Sequence, residues 1–142
     1  MDSAEDTNLG KLPVLKLFEE ERRLPLVDLR VPALLATAKD KEHKVKLRNI
    51  SPDGAQIRCD VPTAMLIRPG GKPFSDKDQP TVRLRALLPL RKGPAQFVAL
   101  GRLIYLTPRS ADEIALGLNF IKMSEAHRAA LYCYIGDAIA PA

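Results

Sequence analysis

HKVKLRNISPDGAQIRCDV, residues 43–61, reads as two strands and the turn that joins them. In HKVKLRNI (43–50), Lys44, Lys46 and Arg48 alternate with Val45 and Leu47. That is the period of a strand with one face in a core and one in water. SPDG (51–54) carries turn chemistry: Pro52 suits an early turn position, and Gly54 tolerates a positive φ. AQIRCDV (55–61) then resumes the alternation. A tight turn between alternating runs makes an antiparallel pair. Asn49, Ser51 and Gly54 are ordinary turn residues, and they are also polar and small enough to hold a ligand.

The pattern repeats on both sides. Upstream, RVPALLATA (30–38) reads as a strand whose Pro32 places it near an edge, and polar KDKE has hairpin length. Downstream, RPGGKPFSDKDQP (68–80) is a long Pro- and Gly-rich loop, open as a lid, an interface or slack. TVRLRALL (81–88), QFVALGRLIYL (96–106) and IALGLNFI (114–121) are further strands, with Gly101 marking a bulge or bend. SEAHRAALYCYIGDAIA (124–140) changes period. Ser124 caps a helix, Glu125 suits its first turn, and Ala130, Leu131, Tyr134, Ile135 and Ala138 follow at helical spacing. Residues 1–10 read as a tail, and Val14, Leu15 and Phe18 predict a short helix over about 13–23. The expected organisation is a tail and short helix in 1–20 and one domain in 21–142. Its fold class is mostly β: a six-stranded antiparallel β-barrel of split-barrel type that closes to hide its edges. A C-terminal α-helix packs on it, and a short N-terminal helix or flexible segment precedes it.

Composition narrows the function classes. The chain has 142 residues, 46% hydrophobic and 5% aromatic with no Trp, so Leu, Val, Ile and Ala must build the core. A net charge of +5 favours an anionic partner. Aromatic surface for stacking bases is scarce, and Phe97, Tyr105 and Phe120 read as core residues, which argues against nucleic acid. Cys59 and Cys133 make no disulfide scaffold and fit a reduced, cytoplasmic setting. The acidic N-terminus is no signal peptide, and no apolar run is long enough to span a membrane. His43 and His127 are the only histidines. No nucleophile–base arrangement, metal-ligand spacing or phosphate loop is present, so neither catalysis, a metal nor a cofactor is expected.

Three features in order resemble the PilZ domain family of bacterial cyclic di-GMP receptors. ERRLPL (21–26) is a basic lead-in, NISPDGAQI (49–57) follows an early strand, and ALGLNFIKMSEAHRAALYCYI (115–135) is a strand followed by a capped helix. The family's [D/N]xSxxG motif is met in full by Asn49, Ser51 and Gly54. Its RxxxR motif is not. Arg22 or Arg23 can stand for the first arginine, but Leu26 and Val27 stand four residues on, and the next basic residue is Arg30. The resemblance implies a non-enzymatic receptor for cyclic di-GMP that signals to a partner protein. Arg22 and Arg23 would pair with phosphate or stack on guanine. Asn49 would bind a guanine edge or phosphate, Ser51 would hydrogen-bond the ligand, and Gly54 would let the backbone approach. Arg30 or Arg48 would substitute for the missing arginine. The gap in RxxxR keeps a second reading open, a PilZ-like adaptor that binds no nucleotide. A basic barrel for nucleic acid is the third.

Overall fold

The computed structural model describes residues 27–37 and 41–139. The expected tail and short helix, with Arg22 and Arg23, lie outside the described residues. Six strands form a closed antiparallel barrel: β1 (Val27–Ala36), β2 (Glu42–Ile50), β3 (Gly54–Cys59), β4 (Thr81–Leu90), β5 (Gly93–Pro108) and β6 (Ile114–Lys122). Going round the barrel the order is β1-β2-β3-β6-β5-β4. Helix α1 (Val61–Ile67) lies between β3 and β4, and helix α2 (Glu125–Ile139) closes the chain. The expected fold class holds in strand number, pairing sense and terminal helix.

Alternation works because each strand turns one row of apolar side chains inward. Val45 and Leu47 of β2, Val82, Leu84, Ala86 and Leu88 of β4, and Phe97, Ala99 and Leu103 of β5 are all buried. His43 points the same way and is a packing residue. Phe97 and Phe120 meet edge to face, with ring centroids 5.7 Å apart. The Gly101 irregularity is real: the β5–β6 register slips between Leu100 and Gly101. A second glycine sets the closing strand. A Cβ on Gly117 would fall inside the Tyr105 ring. Only glycine lets β6 pass beneath that ring, whose hydroxyl accepts a 2.7 Å hydrogen bond from Gln56 Nε2 of β3.

Four expectations change. β1 is no edge strand, because closure pairs it with both β2 and β4. Its ladder to β4 runs only from Ala33 to Ala36, however, so Pro32 lies just outside it. β3 ends at Cys59, and the following residues form α1 rather than more strand. The Asp60 side chain accepts the Thr63 N–H at 2.8 Å and a proline sits in the first turn, a cap and start signal present in DVPT (60–63). The 68–80 loop is tied down: Arg68 donates to the Lys72 and Pro73 carbonyls and to both Asp78 oxygens, and stacks 4.3 Å from the centre of the Phe74 ring. In α2 the inward residues are Leu131, Tyr134 and Ile135, whereas Ala138 is exposed. The α2 cap is as expected, with the His127 N–H on Ser124 Oγ at 3.2 Å.

Candidate ligand-binding site

The site begins with two slips of register. Between the pairs Asp28–Asn49 and Val31–Leu47, β1 has two residues, Leu29 and Arg30, where β2 has only Arg48. On the other side of β2, the ladder to β3 steps from Leu47–Ile57 straight to Asn49–Gln56, so here Arg48 itself is the extra residue. Uninterrupted alternation would put Asn49 in the core with Leu47, and Ile50 in water. The double slip reverses this: Ile50 is fully buried, and Arg48 and Asn49 are both part-exposed on the barrel wall. Bulges commonly re-aim side chains in this way. Arg30 is exposed in the same bulge.

The turn after β2 is locked from inside. Ser51 is fully buried. Its hydroxyl oxygen accepts the N–H groups of Asp53 and Gly54, each at 3.2 Å, and its hydroxyl reaches the Gly54 carbonyl at 3.4 Å. The Ser51 N–H also donates to the Gly54 carbonyl at 2.9 Å. Gly54 is the first residue of β3 and pairs with Asn119 of β6. The positive-φ glycines among the described residues are Gly70, Gly71 and Gly93, so a left-handed conformation is not what Gly54 supplies. The Phe120 N–H donates to the Asp53 carbonyl at 2.8 Å. The turn and LGLNF (116–120) are thus one hydrogen-bonded unit, which gives a physical reason for finding the two patterns in one chain.

Asp28, which carries no motif, sits at the centre of the exposed part. With the Asn49 amide turned to satisfy its neighbours, its nitrogen donates to Asp28 Oδ1 and to the Arg48 carbonyl, each at 3.0 Å. Arg48 Nη2 lies 3.6 Å from the same Oδ1. The Arg48 Nε is buried and has no hydrogen-bond partner among the described residues. Helix α2 reaches this corner, since it packs on β5, β4 and β1. Burial, and after it the Asp28 carboxylate, raise the Tyr134 hydroxyl above the ordinary tyrosine range.

The structure therefore brings Arg30, Arg48 and Asn49 together on one outer wall, with Ser51 and Gly54 beneath them as turn architecture. Sequence reasoning missed Asp28. Its only signal is its pairing with Asn49, and pairing register is not visible in an isolated strand. No group of three or more metal-ligating side chains occurs among the described residues. No helix among them is long and apolar enough to cross a membrane.

No curated protein matches the sequence as a relative. Several solved structures share the fold. An inhibitor of motility from Bacillus subtilis, MotI/DgrA, is 16% identical with a TM-score of 0.57, over 79% of this chain and 48% of that one. The PilZ domain of YcgR from Escherichia coli, solved with cyclic di-GMP, is 12% identical with a TM-score of 0.55, over 82% of this chain and 90% of that one. The MrkH–cyclic di-GMP complex of K. pneumonia is 12% identical with a TM-score of 0.52, over 78% of this chain and 49% of that one. The chain thus spans about half the length of MotI/DgrA and of MrkH. The PilZ domain family model matches residues 19–137, which takes in the lead-in, the whole barrel and nearly all of α2, and the chain belongs to the PilZ domain family.

Proposed function

We propose that this PilZ domain is a cytoplasmic, non-enzymatic receptor that binds cyclic di-GMP on the β1–β2 wall and passes the signal to a partner protein. The observation that carries this reading is the double slip at Arg48, which turns Arg48 and Asn49 outward beside Arg30 above a locked turn. Guanidinium groups pair with phosphate oxygens and stack on purine faces. Arg30 and Arg48 supply two such groups, and Arg22 and Arg23 supply more from the sequence just before β1. Asn49 offers an amide to a guanine edge. Ser51 and Gly54 act through the turn: they hold Asn49 and Arg48 at a defined height on the wall. One arginine–phosphate contact is worth about 1.5–3 kcal/mol, or roughly one to two decades of affinity. Calorimetric titration with cyclic di-GMP tests the reading. Absence of heat at high micromolar protein in low salt would sink it.

A second reading, an adaptor working by protein contacts alone, is favoured by the Asp28 carboxylate already held by Asn49 and Arg48. On that reading Leu26→Arg, which completes the arginine spacing from Arg22, creates binding that the natural protein lacks. Tight binding by the natural protein, unchanged by the substitution, excludes the adaptor.

A further inference from the structure

We infer that Asp28 is a built-in competitor for the ligand's phosphate: its carboxylate holds Arg48 and Asn49 until a better anion displaces it. This rests on the receptor reading above. The argument starts from one oxygen. Asp28 Oδ1 takes the Asn49 amide at 3.0 Å and stands 3.6 Å from Arg48 Nη2. An internal anion thus occupies both groups that the site would offer to phosphate.

The hold on Arg48 is incomplete. At 3.6 Å the pair is long for a charge-assisted hydrogen bond, and Arg48 Nε is left buried with no acceptor among the described residues. A phosphodiester presents two free oxygens and can take two guanidinium N–H groups in a forked pair, the Nη groups as they stand or Nε with an Nη once the side chain turns outward. The Asp28 side chain is 70% exposed, so it can swing into water at little cost. The exchange puts phosphate on Arg48 and water on Asp28, and leaves the Asn49 amide on the Arg48 carbonyl with one N–H open to the ligand. Asp28 also sets the local charge. Together with exposed Asp53 it offsets Arg30 and Arg48 and so lowers the pull on a dianion. A receptor built this way needs more ligand to reach the same occupancy, by the factor that the internal pair holds back.

The test compares the full chain with Asp28→Asn, which keeps an acceptor for Asn49 and removes the charge. Cyclic di-GMP and inorganic pyrophosphate are titrated into each, by calorimetry and by the NMR signal of Arg48 Nε–H. The competitor predicts affinity about three- to tenfold tighter in Asp28→Asn for both anions, with the Arg48 signal moving on binding. Weaker cyclic di-GMP binding in the variant would mean that the carboxylate accepts from the guanine edge, and would overturn the proposal. Should neither protein bind the nucleotide, the receptor reading fails and pyrophosphate alone decides. A gain in the variant then upholds Asp28 as an anion competitor, and equal or absent pyrophosphate binding overturns it.

Discussion

Part-exposed Arg48 and buried Arg68 each stand beside a Pro- and Gly-containing turn, yet their donors are spent differently. Arg68 is consumed by its own loop. It holds two backbone carbonyls, both oxygens of Asp78 and the face of Phe74. Among the described residues, Arg48 has one long ion pair and an Nε without an acceptor. An arginine with a donor on every nitrogen ending inside its own loop is a clasp. On the receptor reading, an arginine left short of acceptors is held ready for one from outside. The contrast then separates stability from binding, and each can be broken alone.

The largest effect on folding is expected at the clasp. Arg68→Ala strands the Lys72 and Pro73 carbonyls and removes the packing on Phe74, at a cost on the order of 3 kcal/mol. The urea midpoint should fall while any nucleotide affinity is kept. Arg48→Ala should do the reverse: cyclic di-GMP affinity drops about ten- to a hundredfold, with stability within about 0.5 kcal/mol of the parent because its pairing is weak. If Arg48→Ala unfolds the domain instead, the contrast between the two arginines collapses. Ser51→Ala is intermediate. It leaves the Asp53 and Gly54 N–H groups without their acceptor and should cost about 1.5 kcal/mol in chemical denaturation, with a smaller loss of binding as Asn49 loses its support.

Acid sharpens the same distinction. The Arg68 hydrogen bond holds the Asp78 carboxyl below its ordinary value. A carboxyl depressed in the folded state stabilises the protein above its unfolded pKa, and the benefit is lost as pH falls through the folded one. The clasp therefore contributes fully at neutral pH and fades below the usual carboxylate range. Urea midpoints measured down through that range should fall less steeply in Asp78→Asn than in the natural protein; parallel curves would contradict the clasp. The smallest effect is chemical. Burial, then the charges of Asp60 and Glu113, raise the Cys59 thiol to about 11. A thiol reagent at neutral pH should label exposed Cys133 quickly and Cys59 only on unfolding.

Much of the fold was legible because strand period and helix period are local. Val45 against Lys46, Val82 against Arg83, and Leu131 with Tyr134 and Ile135 announce their elements without any partner. The Asp60 cap of α1 was legible too, but Val61 extended the strand alternation and masked it. The Arg68 clasp was not legible. Its acceptors lie four to ten residues away in a loop with no repeating period, and only the folded loop brings them to one guanidinium.

The sequence by itself determined six alternating strands, their turns, the capped last helix and the complete Asn49–Ser51–Gly54 motif. Tertiary structure alone decided what those residues do. Ser51 went inside because the turn had to satisfy its own N–H groups. Asn49 came outside because β2 slips against both neighbours at Arg48. Asp28 joined the site because that register sets it opposite Asn49. Register is a property of paired strands, and no single strand carries it.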